Sequence, residues 1–332
     1  MALREAGFVR NRYTRGGTAM ISPSVLLGRR TFFMERSSDK VRRMGTLCVA
    51  MAAIFYSIGG LFIKIVPWNA MSINGARTLI GVVVIGTFIK LTGRKIRFNR
   101  WVLLGALCVT STNILYSFAN KLTTAANAIV LQYTAPIFVM VMGVLFLKRR
   151  TTRLDIITCV LVLAGVVCFF IDGLSIGGML GNILALISGV TYAGVFMLND
   201  FPDGDPLSSS FWGLMISGFV GLPSLVQETN FSATAILGIL VLGLFQIGAG
   251  YICISVGLKH TPSVTASLVG GIEPVLNPIW VAIFYGEMVG PLALVGAVIV
   301  IGSILAYNVI QDKQNPKAEN NTECITDKGE TI

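Results

Sequence analysis

The chain has 332 residues and a formal net charge of +10, with 54% hydrophobic and only 13% charged residues and a mean hydropathy of +0.76. A soluble domain carries about 25% charged residues, so the composition excludes an ordinary soluble enzyme or binding module. The positive charge does not point to nucleic acid either. Ten of the 26 basic residues lie in the first 43 positions and nine more in two short loops, the distribution of membrane-topology signals.

Residues 1–43 are Arg-rich and acid-poor, running from Arg4 and Arg10 to Arg42 and Arg43 against Glu5, Glu35 and Asp39. A basic cytoplasmic tail or a miscalled start, with Met34 or Met44 opening the working protein, fits this better than an organelle transit peptide. No long apolar run precedes Met44, so a cleaved secretory signal is not expected.

Ten apolar segments of membrane-spanning length follow, at 44–65, 71–91, 101–119, 124–147, 154–171, 181–198, 208–226, 233–257, 264–285 and 291–310. Alternating strand-length patterns of the barrel type are absent. The loop after segment 2 holds Lys90, Arg94, Lys95, Arg97 and Arg100, and the loop after segment 4 holds Lys148, Arg149, Arg150 and Arg153. If every segment spans, both loops and both termini share one side, which the positive-inside rule assigns to the cytoplasm. Residues 311–332 are polar and expected to be disordered. Five of the six cysteines fall inside segments and no CxxC pair exists, so they read as small packing residues rather than disulfide or zinc ligands.

The chain is built twice. Shifted by 138 positions, 121–149 aligns with 259–287 without a gap, matching Lys121 to Lys259, Thr123 to Thr261, Ala128 to Ala266, Pro136 to Pro274 and Phe146 to Phe284. Segment 1 likewise matches segment 6 at an offset of 136, placing Tyr56 on Tyr192. A five-segment unit makes the second copy enter upside down. Its equivalents of the basic loops, 227–230 and 286–290, hold no Lys or Arg, and Glu287 stands where the first copy has Arg149. The expected fold is an all-α membrane protein of ten transmembrane helices in two inverted five-helix repeats, 44–172 and 173–310, the arrangement of secondary transporters.

At these residues the chain resembles the drug/metabolite transporter superfamily, specifically EamA-type transporters. The resemblance rests on Phe55-Tyr56-Ser57, Arg77 opening segment 2, the lysine turns into segments 4 and 9 (Lys121 and Lys259), Pro136, and Glu273-Pro274 closing on Gly286-Glu287. The first repeat ends in Lys148-Arg149 where such families show Gly-Glu, so that terminal Glu reads as topology and capping rather than chemistry. The resemblance implies small organic solutes, often moved outward, without saying which.

Glu273 is the first candidate for transport. A carboxyl in a low-dielectric segment can exchange a proton or pair with a cationic substrate. The plain alternative is a structural carboxylate held by Arg77, itself read as snorkelling to the interface. Asn277 lies four residues on, on the same helix face. Tyr56 and Tyr192 are expected to face each other across a central cavity. Asn113, Tyr116 and Gln132 offer uncharged polar groups from the first repeat, with Trp280, Gln246 and Tyr251 their counterparts in kind. Pro136, Pro274 and Pro278 are candidate hinges, since each removes a backbone donor.

The function these features support is secondary export of small organic metabolites or drugs by alternating access. Protons or a solute gradient would drive it, because no P-loop exists to bind ATP. An antiporter of phosphorylated or nucleotide-linked metabolites would need several intramembrane cations, and only Arg77 is clearly inside. A receptor or channel is the reading from another class. An intramembrane enzyme lacks its motifs: HExxH is absent, a single His is present, and no Asp pair lies inside a segment. The implied partners are a small-molecule substrate, protons as a candidate coupling ion and the bilayer, with no cofactor, metal or nucleic acid. The expected location is the plasma (inner) membrane, with multiple spans. Oligomeric state is not legible.

Overall fold

The computed structural model describes residues 23–123, 125–148, 150–170, 178–201, 203–285 and 291–314. The first 22 residues of the basic tail, the polar tail from 315 and the 286–290 loop with Glu287 lie outside the described residues, as does Arg149. The chain divides into two compact units, Met1–Val41 and Arg42–Ile332. In the first, the backbone is helical from Pro23 onward, and Pro is well suited to a first helical position. The helix therefore begins before the expected start at 44, because no proline interrupts residues 24–43 and the single Gly28 is tolerated within them. Everything that follows concerns the second unit.

Among the described residues its helices form ten segments, four of them interrupted. Segment 1 is the latter part of α1 (Pro23–Ser57) and α2 (Gly59–Ile65). Segments 2 and 3 are α3 (Ala70–Leu91) and α4 (Arg100–Leu122), and segment 4 is α5 (Ala125–Gln132) plus α6 (Ala135–Leu147). Segments 5, 6 and 7 are α7 (Arg153–Phe170), α8 (Met179–Phe196) and α9 (Pro206–Leu225). Segment 8 passes from α10 (Ala233–Val241) through a π-helical stretch (Leu242–Ala249) into α11 (Gly250–Gly257). Segment 9 is α12 (Ser263–Val269) plus α13 (Ile272–Tyr285), and segment 10 is α14 (Pro291–Gln314). Among the described residues there is no strand.

Short polar side chains start the helices where the two repeats correspond. Asn69 and Asp205 cap segments 2 and 7, and Asn99 and Ser232 cap segments 3 and 8, each accepting from backbone N–H groups of the first turn. Such a cap satisfies donors that have no partner within the helix.

The connectors gather alternately at two ends, as ten crossings require. At one end Lys64 Nζ donates to the Thr123 carbonyl at 2.8 Å and Lys121 Nζ to the Val66 carbonyl at 2.9 Å. Trp68 Nε1 donates to the Asn230 carbonyl there, and Thr123 to Asn182. This end joins connectors 1–2, 3–4 and 7–8 and the first turn of segment 6. At the other end Arg97 N donates to Ser208 Oγ, Asn99 Nδ2 donates to the Asp203 carbonyl, and Lys259 Nζ pairs with Asp205 Oδ1 at 2.7 Å. That end joins connectors 2–3, 6–7 and 8–9.

Packing repeats the symmetry. Segment 2 packs on 7 and segment 5 on 10; segment 3 packs on 7 as the π-helical part of segment 8 packs on 2; and segment 4 packs on 6 as segment 9 packs on 1. Exchanging each segment for the one five later maps these pairs onto one another, which is the inverted repeat in contact form. Segments 2 and 7 approach to backbone contact at Gly75 and Gly221: a Cβ on Gly221 would lie 2.5 Å from the Gly75 Cα. Leu103, Leu107, Leu145, Phe146, Val160 and Phe284 are among the large apolar side chains left exposed on the outside, the surface a bilayer covers. Five helical stretches, Lys40–Ile65, Ala70–Leu91, Arg100–Leu122, Met179–Phe196 and Ala233–Gly257, are long and apolar enough to cross a membrane by themselves. The protein is an all-α, multi-pass integral membrane protein.

Candidate functional site

The interrupted segments converge on the interior. Segment 9 breaks at Gly270-Gly271, and α13 restarts with Glu273 in its first turn, its N–H donating to the Gly270 carbonyl at 2.8 Å. A helix N-terminus carries partial positive charge and favours a carboxylate there. Segment 4 breaks at Tyr133-Thr134, which the 138-residue shift places on Gly271-Ile272, one residue from the segment 9 break, and α6 restarts with Pro136 in its first turn. Pro136 and Pro274 thus open the second halves of equivalent broken helices, where a missing N–H costs nothing. Pro278 lies four residues further along the α13 backbone.

Glu273 is 4% exposed and, among the described residues, accepts one hydrogen bond, from Tyr192 Oη to Oε2 at 3.0 Å. Tyr133, at the segment 4 break, donates to the Ser267 carbonyl of α12 and so ties the two breaks together. From segment 2, Arg77 enters the same interior and is 1% exposed. Its Nη1 donates to Gln246 Oε1 at 2.8 Å; its Nη2 donates to Ser117 Oγ at 2.8 Å and to the Asn113 carbonyl at 3.3 Å. Gln246 sits in the π-helical stretch, a form that re-aims side chains and recurs at functional sites. Asn113 Nδ2 donates to Tyr251 Oη at 2.7 Å, and the Tyr251 ring meets Tyr56 edge-on at 5.5 Å between centroids.

These groups surround a small cavity of about 30 Å³. Nine of the residues singled out in the sequence line it: Glu273, Tyr56, Tyr192, Asn113, Tyr116 and Gln132, with Arg77, Gln246 and Tyr251. Tyr56 and Tyr192, matched by the repeat, therefore do share one cavity. Asn277 and Trp280 do not line it. Asn277 Nδ2 donates to the Ser57 carbonyl at 3.0 Å and Trp280 Nε1 to Ser57 Oγ at 2.8 Å, so both hold the α1–α2 break of segment 1. Gly60 makes room there, since a Cβ on it would lie 2.4 Å from Asn277.

Arg77 does not snorkel, and it does not hold Glu273. It is buried among neutral acceptors on segments 3 and 8, and the two charges line the cavity without forming an ion pair. Ser117 and Thr112 are contributors that sequence reasoning passed over. Ser117 stands four residues after Asn113 on the same face of α4, a spacing that would have found it. Among the described residues no group of three or more His, Cys, Asp or Glu side chains is placed to hold a metal.

Outside the membrane segments, Asp205 is the perturbed carboxylate. Partial burial pushes it up, but the Lys259 ammonium and the Ser208 N–H and hydroxyl outweigh that and hold it below its usual 3.8.

The model of the EamA-like transporter family matches residues 43–171 and again 179–309. An "Uncharacterized transporter" of Clostridium kluyveri is 27% identical over 84% of this chain and 98% of its own length. The "Uncharacterized transporter YwfM" of Bacillus subtilis is 26% identical over 81% of this chain and 95% of its own. A protein of solved crystal structure superposes with a TM-score of 0.67 at 16% identity, over 80% of this chain and 98% of that one, a likeness of fold.

Proposed function

Because the chain belongs to the EamA-like transporter family, we propose that it exports a small organic solute by alternating access, driven by inward movement of protons through Glu273. That it is a membrane transporter follows from the family; direction, driving ion and site are our reading. The observation that carries it is a carboxylate that lines a central cavity, 4% exposed, with a single neutral hydrogen-bond partner. Such a group is costly to keep charged and uncompensated in a membrane interior. It is therefore bound in turn by a proton and by the positive part of a solute. When the solute leaves, a proton replaces it, and the neutral carboxyl can return through the closed intermediate. The Pro136 and Pro274 breaks are the joints about which the halves of segments 4 and 9 move.

Arg77 is the cation that lines the cavity. One cation facing one carboxylate does not suit a phosphorylated or nucleotide-linked polyanion, and that antiport reading is set aside.

The test is flux in proteoliposomes under an imposed pH gradient, with cationic drugs and pooled amino acids as solutes. We expect gradient-driven accumulation, and its loss in Glu273→Gln protein that still runs as a folded monodisperse species. Accumulation that survives the substitution would leave a transporter whose coupling lies elsewhere.

A further inference from the structure

Away from the cavity, the turn from segment 2 into segment 3 joins charge and apolar surface in one short stretch. Residues 90–100 carry Lys90, Arg94, Lys95, Arg97 and Arg100 and no acidic residue. All five are exposed, and none forms an ion pair among the described residues. The Arg94 guanidinium lies over the Phe88 ring, 5.5 Å from its centroid, and that of Arg100 over Trp101 at 5.2 Å. A ring face orients a cation without neutralising it. Between these charges Leu91 is 81% exposed, Phe98 68% and Ile96 41%.

The backbone beneath them is fixed. It leaves segment 2 at Gly93, whose φ of +63° is left-handed, and the Arg94 N–H returns to the Ile89 carbonyl at 3.2 Å. Segment 7 holds the far side. Arg97 N–H donates to Ser208 Oγ at 3.0 Å, the Arg97 carbonyl accepts from Trp212 Nε1 at 3.2 Å, and the Phe98 ring meets Trp212 edge-on at 5.5 Å between centroids.

Topology signalling accounts for the charge, since it needs only cations beside a span. It accounts neither for the apolar side chains among them nor for a backbone pinned to another segment. Water suits the five cations and not Leu91, Ile96 and Phe98, whereas hydrocarbon suits only the apolar three. A free anion would answer the charge alone. A bilayer boundary with negative headgroups answers both, because basic side chains reach the headgroups while apolar ones enter the chains below.

We propose that this connector is a docking surface for an anionic phospholipid of the adjoining leaflet. Arg94, Lys95 and Arg97 draw its headgroup, and Ile96, Phe98 and Trp212 meet its chains. The proposal is independent of solute, direction and coupling ion. Ser208, which accepts from Arg97, donates to Asp205 Oδ2 at 2.6 Å, so the bound lipid adjoins the Asp205–Lys259 pair.

The experiment is native mass spectrometry of the detergent-purified full chain, titrated with phosphatidylglycerol, phosphatidylcholine or free sn-glycerol 3-phosphate. We expect retained phosphatidylglycerol, with phosphatidylcholine and glycerol phosphate each about tenfold weaker or more. Replacing Arg94, Lys95 and Arg97 together by Gln should weaken phosphatidylglycerol about tenfold or more, since each cation near a negative surface contributes attraction. Replacing Lys148, Arg150 and Arg153 together by Gln removes the same charge from the turn after segment 4, where 148–152 hold no apolar residue, and should leave that affinity unchanged. Equal binding of the two phospholipids would overturn the proposal, and glycerol phosphate as tight as the lipid would replace it with a free-anion site. Equal losses in the two triple variants would reduce it to general charge attraction. Wild-type tryptophan fluorescence in vesicles covers a variant that fails to fold. Phosphatidylglycerol brominated on its chains should quench more than brominated phosphatidylcholine at the same mole fraction, and Trp212→Phe should shrink the excess. Equal quenching by the two would again sink the assignment.

Discussion

Tyr192 and Tyr56 occupy matched positions in the two repeats and line one cavity, yet their hydroxyls are in opposite circumstances. Tyr192 Oη donates to a buried carboxylate, and Tyr56 Oη donates to nothing. A hydrogen bond to a charged group contributes about 1.5–3 kcal/mol, whereas an unmatched buried hydroxyl contributes none and carries a desolvation cost. Tyr192→Phe is accordingly expected to lower stability by about 1–3 kcal/mol, since it strips Glu273 of its one donor. Tyr56→Phe should leave Tm unchanged or raise it slightly while weakening solute binding. Thermal unfolding and ligand titration of both variants measure the contrast; equal losses of stability would mean that the two hydroxyls are equivalent after all. Glu273 was legible from its chemistry alone, as a carboxylate in a segment where charge is expensive. Arg77 was misread because its place near a segment start admits two destinations, the interface or the interior. Only the acceptors brought by segments 3 and 8, Ser117 and Gln246 among them, decide between the two.

Among the elements, the broken helices divide what the sequence could and could not reveal. Pro136 and Pro274 announce the breaks in segments 4 and 9, because proline opens a helix more readily than it continues one. The break at Ile58 and the π-helical stretch of segment 8 have no such marker. They follow from packing: a Cβ on Gly59 would fall 1.8 Å from Gln246 Nε2, so these two segments adjust to each other rather than to their own residues. For the same reason Asn277, on the Glu273 face in an ideal helix, serves the Ser57 carbonyl instead of the cavity. The backbone contact of segments 2 and 7 supplies a direct test. Gly221→Val places side-chain atoms inside the Gly75 backbone and should cost at least about 1–3 kcal/mol. Gly302→Ala, where an added Cβ meets nothing within 4 Å, should be neutral. Asp205 supplies a second. Its carboxyl is held below its unfolded value, so its contribution is present above about pH 4 and is lost as pH falls through the lowered folded value. The difference in Tm between wild type and Asp205→Asn should therefore be largest near neutrality and shrink as pH falls below about 4. A difference that does not vary with pH would assign the effect to helix capping alone.

For the whole molecule, the repeats make its two ends copies of one design. Lys121 and Lys259 are equivalent by the 138-residue shift, and each ties together connectors at its own end. They do so by different means. Lys121 donates to a backbone carbonyl, and Lys259 pairs with a carboxylate. Dissolved ions reach this pair through Lys259, which is exposed although Asp205 is largely buried. With a screening length of about 8 Å at physiological ionic strength, they weaken an attraction between two charges more than a bond to a neutral acceptor. The two mouths are therefore matched in architecture and unequal in salt sensitivity. Raising potassium chloride from low to high concentration should loosen the Asp205–Lys259 mouth selectively, which paired accessibility labels at the two ends would register as a change at one end alone. Under the alternating access proposed above, the resting bias between inward-facing and outward-facing forms then becomes a quantity that the ionic composition on one side of the membrane can set, without any change in the solute or its gradient.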